Sequence, residues 1–370
     1  MKICFVIPSL SSGGAERVAV TVLSALDAEH ERVLYLFSGE HGVYFDRIAP
    51  GVRVVIARER SWLRRLFELA RFLRSARPDV VMPFLSYFIT AVAVWISRVP
   101  ARVVFNQGTP TTGFLDDPDF AWRRPWRRRL FAMVTRLFYN RADAVVVTSK
   151  GVADDLVSRY GVAPARIRVL HNPVDLESIA RAATEPVDAD PESCRPLIVA
   201  AGRLAQVKNY PLLLESLAGL RPRLGAAHAW ILGDGPERER LESLANAMGV
   251  GDRVRFWGFQ QNPWRFIARA DVFVLTSSYE GFGNVLIEAM ACGTPVVATR
   301  SPGTVEIIRD GANGLLVEPQ AAAVAAAIMR LLDDGALRER IVRQARTDVE
   351  HYALGRVAER YDGMFREQVA

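Results

Sequence analysis

Cysteine is scarce in this 370-residue chain. Cys4, Cys194 and Cys292 lie far apart and form neither a CxxC nor a Cys/His spacing. Three scattered thiols argue against a disulfide framework and against a zinc site, and they favour a reducing compartment. Convincing membrane spans are missing too. The stretch between Asp79 and Arg98 carries no charge and reaches spanning length, but Pro83, Ser86, Tyr87 and Thr90 interrupt it. It reads as a buried strand, Val80–Met82, followed by a core helix, Ile89–Ile96. The apolar opening Met1–Pro8 is short and runs into Ser11-Ser12-Gly13-Gly14 without a small-x-small cleavage site, so a first strand is expected there rather than a leader. There is no low-complexity segment and no short-period repeat. The glycine loop at Pro8–Arg17 is not GxGxxG, and no acidic residue ends a convincing second strand, so the dinucleotide fingerprint fails. No carboxylate cluster resembles a metal site; neither a metal nor another cofactor is expected.

What is present reads as an α/β protein. Apolar residues make up 50% of the chain and charged residues 24%, the balance of an ordinary globular protein, and the length suits two domains better than one core. Short apolar runs alternate with helical stretches, the pattern of doubly wound domains. The first set of strands is expected at Ile3–Ile7, Val33–Phe37, Val52–Ile56, Val80–Met82, Val103–Phe105 and Ala144–Thr148. The second is expected at Leu197–Ala201, Ala229–Leu232, Val254–Phe256, Val272–Leu275, Pro295–Ala298 and Gly314–Val317. Between the sets, the polar, proline-bearing stretch Thr184–Glu192 reads as a linker, giving domains over 1–180 and 190–349. Charge divides unevenly. Residues 1–175 hold 25 Lys/Arg against 16 Asp/Glu, a surplus of +9, and the remainder holds 22 against 25. A basic first half calls for an anionic partner of that half.

The most informative segment is Ser278-Tyr279-Glu280-Gly281-Phe282-Gly283-Asn284, which leads into Val285-Leu286-Ile287-Glu288-Ala289-Met290. Eight residues at about 100° each put Glu288 roughly 80° past two full turns from Glu280, so the two glutamates are not a stacked pair on one helix. Glu280 is expected in the loop after strand Val272–Leu275, with Gly281 and Gly283 allowing close backbone approach to a ligand. Asn284 and Glu288 then lie one above the other on the opening turns of a helix. A helix start attracts phosphate, and carboxylates suit sugar hydroxyls; together they suggest a nucleotide sugar. A plain strand-loop-helix unit with a solvated Glu280 and a dipole-stabilised Glu288 is the ordinary alternative. Upstream, Gly202-Arg203-Leu204-Ala205-Gln206-Val207-Lys208 places a glycine and two cations directly after a strand. Arg grips phosphate oxygens through a fork and Lys supplies a point charge. In other settings such a pair is simply a solvated surface.

The Glu-(seven residues)-Glu string resembles the signature of retaining GT-B glycosyltransferases of family 4, of the bacterial surface-glycan type, and the resemblance extends over nearly the whole chain. It implies two Rossmann-like doubly wound domains facing across a cleft, with a terminal helix (about 350–370) crossing back to the first domain. Tyr352, Val357, Tyr361 and Phe365 have the spacing for one buried face of that helix. By this resemblance Glu280 contacts the donor sugar near the reacting centre, Glu288 the ribose hydroxyls, and Arg203 and Lys208 the donor diphosphate. Gly202, Gly281, Phe282, Gly283, Asn284 and Val285 form the donor loops, and Phe259 lies by the base. Gly14 belongs to the donor side of the N-terminal loop and Gly13 to its sugar or acceptor side. Gly233-Asp234-Gly235 reads as a structural turn, and His171 as structural. Where many members carry a histidine after a strand of the first domain, this chain has Asn106 and Gln107. These can donate to a sugar hydroxyl but cannot hold a proton, which leaves the departing phosphate as the acceptor of the proton.

Two stretches, Trp62–Arg74 and Trp122–Phe131, interleave Arg with Trp, Phe and Leu at helical spacing, as interfacial helices do at anionic lipid. A charged outer face over an ordinary core is the alternative. No nucleic-acid module accompanies them, and no nucleic-acid partner is expected. The expected protein takes a hexose or N-acetylhexosamine from a nucleotide sugar, UDP-linked by likeness of its opening loop, to a lipid-linked or surface-glycan acceptor. It would be cytoplasmic, at the inner face of the membrane. A GT-B epimerase or soluble disaccharide synthase would share the donor site, while a non-catalytic anion-binding protein would account for the basic half alone.

Overall fold

Most apolar runs of the first half become parallel strands buried on both faces, the condition that lets a strand be continuously hydrophobic; the edge strand Val52–Ile56 stays half-exposed. The chain is described from a computed structural model over residues 1–11, 13–39, 42–111, 125–189, 195–220 and 227–370. Contacts divide it into one unit of Met1–Pro173 with Leu354–Ala370 and a second of Val174–Ala353.

In the first unit, β1 (Lys2–Ile7), β2 (Glu31–Leu36), β3 (Val52–Ile56), β4 (Val80–Pro83), β5 (Arg102–Gln107), β6 (Ala144–Val147) and β7 (Ile167–Val169) form a sheet of order β3-β2-β1-β4-β5-β6-β7. Every pair in it is parallel. Strand β7 was not expected. It has only three residues, half-buried to exposed, and Arg168 at its centre breaks the apolar run that identifies the others. Alternation along β1 sends Ile3, Phe5 and Ile7 to one face, where helices Gly14–Ala25 and Leu354–Val369 cover them, and Cys4 and Val6 to the other. The last helix is held by its apolar stripe. Val357, Tyr361, Met364 and Phe365 enter the first core, with Phe365 edge-on to Phe5 at 6.4 Å between ring centres. Tyr352 does not belong to that stripe. It precedes the helix and packs on Phe282 in the second unit at 5.5 Å.

The second unit repeats the architecture with β8 (Leu197–Ala201), β9 (His228–Leu232), β10 (Val254–Gly258), β11 (Val272–Leu275), β12 (Val296–Thr299) and β13 (Leu315–Val317), ordered β10-β9-β8-β11-β12-β13 and all parallel. Its boundary differs from the expected one. The unit begins at Val174, and helix Leu176–Ala182 packs on helices Trp264–Ile267 and Asn284–Ala291. The start of the supposed linker is anchored as well: the Glu185 carboxylate accepts from Asn262 (2.9 Å) and the Pro186 carbonyl from Arg265 (3.0 Å). Residues 190–192 of that stretch lie outside the described residues.

Candidate functional site

In the second sheet the winding reverses between β8 and β11. Loops leaving the C-terminal ends of those two strands therefore diverge, and this is where open α/β sheets bind ligands. The sequence puts its charged candidates on these two loops. Gly202 through Lys208 follow β8, and Thr276 through Gly283 follow β11.

The loops are tied together. The Ser278 amide donates to the Val207 carbonyl (2.9 Å), and the Thr276 hydroxyl donates to the Lys208 carbonyl (3.1 Å). Across this seam Lys208 Nζ donates to Glu280 Oε1 at 2.6 Å, and the Ser277 hydroxyl donates to the same oxygen at 2.7 Å. Both contacts end on Oε1, so Glu280 is aimed by one oxygen while Oε2 has no partner among the described residues. The pair is well shielded, with side-chain exposures of 20% for Lys208 and 11% for Glu280. Arg203, on the same loop, is exposed, and its guanidinium has no hydrogen-bond or ion-pair partner among the described residues.

Glycines set the loop geometry. Gly233, at φ +132°, lies so close to Gly202 that a Cβ there would meet the Gly202 carbonyl oxygen at 2.0 Å. A Cβ on Gly235 would meet the Leu204 oxygen at 2.4 Å. The Leu204 amide donates to the Asp234 carbonyl (2.9 Å) and the Glu237 amide to the Leu204 carbonyl (3.0 Å). The Gly-Asp-Gly turn is thus the clamp that fixes the Arg203 loop. Tyr210 adds a strut: its hydroxyl donates to the Gly202 carbonyl at 3.0 Å, and burial pushes its phenol well above the ordinary range. On the other loop, Gly303 donates its amide to the Glu280 carbonyl (3.1 Å) and leaves no room for a Cβ against residues 280–282.

Helix Asn284–Ala291 begins at Gly283, in the left-handed region at φ +93°, with no side-chain cap on its amides. Asn284 and Glu288 sit at i and i+4 on it. Glu288 is 4% exposed and its Oε2 accepts from Trp264 Nε1 at 2.9 Å. Cys292, one turn on, has its thiol pushed up to about 12 by burial and by Glu288, and is chemically quiet. Phe282 departs from its expected place in the donor loop. At 3% exposure its ring fills the core against Tyr352, so only its backbone faces the loop. Gly281 is buried and Val285 half-buried. Phe259, just past β10, is 48% exposed with its ring on the surface.

The first-unit candidates fare differently. Asn106 and Gln107, at the end of β5, are 4% and 9% exposed and turned inward. Asn106 Nδ2 donates to the Tyr361 hydroxyl (3.2 Å), the Tyr139 hydroxyl donates to Gln107 Oε1 (2.6 Å), and Gln107 Nε2 donates to the Thr109 carbonyl. The tyrosines claim these amides, which corrects the expectation that they face a sugar. A Cβ at Gly13 would collide with Glu16, whose carboxylate folds back to accept from Ser11 (3.2 Å), whereas Gly14 meets nothing within 4 Å. The steric demand in that loop is at Gly13. His171 Nδ1 lies 3.0 Å from the Thr148 carbonyl. Four positioning residues, Ser277, Thr276, Tyr210 and Trp264, were not singled out from sequence. Ser277 alone carried a signal, as a hydroxyl at the strand end three residues before Glu280.

Comparison with known proteins follows the same division. Residues 12–178 match the family model for Glycosyltransferase Family 4, and residues 185–348 match that for glycosyl transferases group 1. The chain is 39% identical over 218 residues to the lipopolysaccharide core biosynthesis glycosyltransferase LpsE of Rhizobium meliloti, a match covering 58% of this chain and 62% of that protein. It is 27% identical over 368 residues to a Campylobacter jejuni N-acetylgalactosaminyltransferase acting on a diphospho-undecaprenol-linked saccharide, covering 96% and 97% of the two chains. Its fold superimposes on Anabaena Alr3699/HepE in complex with UDP-glucose with a TM-score of 0.82 at 21% identity, over 99% of this chain and 100% of that one.

Proposed function

The chain belongs to the GT-B glycosyltransferases, joining a family 4 first half to a group 1 second half, and from that premise we propose that it moves a hexose or N-acetylhexosamine from a nucleotide sugar to a lipid-linked or surface-glycan acceptor. One observation carries the reading: at the switch point of the second sheet, an exposed Arg203 stands on the same short loop as a Lys208 that grips Glu280. Cations fixed beside a carboxylate suit a ligand that joins a diphosphate to a sugar. Arg203 and Lys208 neutralise the charge that grows on the departing diphosphate, which needs no metal ion in this scheme. Glu280, aimed through Oε1, offers Oε2 to a hydroxyl of the donor sugar. Glu288 takes the ribose, the amides of Gly283, Asn284 and Val285 add donors, and Phe259 stacks by the base.

The bond from the anomeric carbon to the leaving phosphate oxygen breaks while one to the acceptor oxygen forms on the same face, with retention. The acceptor's proton passes to the leaving phosphate. Such a route requires no protein base, in keeping with amides rather than a histidine at 106 and 107. A lipid-linked or surface-glycan acceptor is favoured by the LpsE and N-acetylgalactosaminyltransferase relatives, and a UDP donor by the UDP-glucose-bound fold neighbour. The test is a panel of UDP- and GDP-sugars scored by released nucleotide with and without a polyprenyl-diphosphate-linked saccharide. Acceptor-dependent release with a UDP-sugar supports the proposal. Absence of release with every donor, or release with GDP-sugars alone, counts against the activity or the base, respectively.

A further inference from the structure

Among the described residues, four that are not glycine have a positive φ: Arg77, Leu85, Arg98 and Asn209. Arg77, Arg98 and Asn209 each close a helix, where a left-handed residue is the ordinary stop. Leu85 closes none. It comes two residues after β4, at φ +59°, where the winding of the first sheet reverses between β1 and β4. A bulky apolar residue is disfavoured in that region, and glycine or asparagine would enter it more readily.

The neighbours enforce the turn. The Phe84 amide donates to the Val6 carbonyl (2.8 Å), and the Ser86 hydroxyl donates to the same carbonyl (3.0 Å). Residues on both sides of Leu85 thus end on one oxygen, and the chain doubles back between them. Each neighbour is locked in turn. The Phe84 ring is buried and packs on Phe5 at 5.1 Å between ring centres. Ser86 is buried and leads into helix Tyr87–Ser97, whose Tyr87 hydroxyl donates to the Asn106 carbonyl (2.6 Å). The leucine side chain gains little from this arrangement, since it is 54% exposed. Backbone strain that no burial of the side chain offsets, at the place where an open α/β sheet takes its ligands, marks a residue kept for what it presents.

The chemistry around Leu85 suits an uncharged ligand. β1 and β4 are in register through Val6 and Pro83, so the segments that follow them leave the sheet at one level. The segment after β1 carries Ser9 and Ser11, whose hydroxyls lie 3.5 Å apart, and Ser11 donates to the Glu16 carboxylate at 3.2 Å. Hydroxyls and a carboxylate match the rim of a sugar, and an aliphatic group matches C–H surface. We propose that Leu85 is an acceptor-contacting residue, covering an aliphatic C–H surface of the acceptor (its saccharide or the lipid that carries it) and so setting which acceptors are used. The inference rests on the sugar-transfer reading, which assigns the donor to the reversal of the second sheet and leaves that of the first for the acceptor.

The test compares the wild-type chain with Leu85→Asn, which fits the left-handed region but loses the aliphatic group, and with Leu85→Met, which keeps an apolar chain. Turnover of a UDP-sugar is measured with a polyprenyl-diphosphate-linked saccharide and with the methyl glycoside of the same saccharide. Leu85→Asn should raise the Tm by about 1–3 °C as the strain is relieved. It should also lower kcat/KM for the acceptor by roughly five- to tenfold, with calorimetric affinity for UDP unchanged. Leu85→Met should keep at least about half of the wild-type kcat/KM. Loss with both acceptors assigns the contact to the saccharide, and loss with the lipid-linked acceptor alone assigns it to the lipid. If the wild type turns over and Leu85→Asn matches it, the inference is overturned and the transfer reading stands. A fall in kcat/KM together with a lowered Tm or weakened UDP binding marks a structural role and also overturns it. Absence of turnover by the wild type with both acceptors removes the transfer reading and this inference with it.

Discussion

The two units use the same parallel-sheet architecture and the same kind of reversal in strand order, yet they place their charge in opposite ways. In the second unit the cations and carboxylates converge at the reversal, where Lys208 meets Glu280 at 2.6 Å and Arg203 stands open beside them. In the first unit the reversal lies between β1 and β4, and its neighbourhood is polar but poor in cations: Ser86 donates to the Val6 carbonyl and bonds Thr90, and Glu16 folds over Gly13. Eight of the first unit's arginines lie instead on two of its helices, Trp62–Ala76 and Pro125–Tyr139. A fold offers a site, and side-chain placement decides what the site can bind. One unit gathers its charge at the reversal of its sheet; the other spreads it over a surface.

The largest effect expected from breaking this contrast is at Glu280. Glu280→Ala removes the group aimed by Lys208 and Ser277, and transfer should fall by about a thousandfold or more with the Tm nearly unchanged. Wild-type turnover in that variant would remove the assignment. A sharper structural contrast lies in the glycines. Gly233→Ala drives a methyl into the Gly202 carbonyl at a φ that L-residues resist, and should cost about 3 kcal/mol or more and dislodge the Arg203 loop. Gly14→Ala, in the corresponding loop of the first unit, meets open space and should change stability by no more than about 0.5 kcal/mol. Urea melts of the two variants check the pair, and equal costs would contradict it.

A smaller effect is expected at low pH. Burial pushes the Asp348 carboxyl up, but hydrogen bonds from Gln344, Arg309 and Asn313 outweigh that and hold it below the ordinary carboxylate range. A depressed folded value means that its contribution is fully present above the unfolded value, about 3.9, and is lost as pH falls through the folded one. Asp348→Asn should therefore flatten the acid limb of the stability curve below about pH 4 and leave its slope near neutrality unchanged.

Both sheets were legible in the sequence because strands buried on two faces must be continuously apolar; the half-exposed edge strands β3 and β10 carry Arg53 and Arg255 but are long enough to keep a recognisable apolar run. Only β7, an edge strand interrupted by Arg168, gave no signal. The placement of Glu280, Gly283 and Asn284 after β11 was legible for a related reason, since glycines and a carboxylate after an apolar run announce a loop at a strand end. Contacts that depend on long-range packing were not legible. Nothing near Trp264 says that its indole will hold Glu288, and nothing near Tyr139 or Tyr361 says that they will claim Gln107 and Asn106. The polar stretch at 184–192 misled about the boundary because composition cannot distinguish an exposed segment anchored to one unit from a free connection.

The most direct test is titration calorimetry of UDP into the wild-type chain and into Lys208→Ala. The wild type should bind one equivalent, and losing a shielded charge-assisted contact should weaken that binding by roughly ten- to a hundredfold. Failure of the wild type to bind any nucleoside diphosphate, or equal affinity in the two proteins, would contradict the claim that the reversal point of the second sheet is built for a diphosphate.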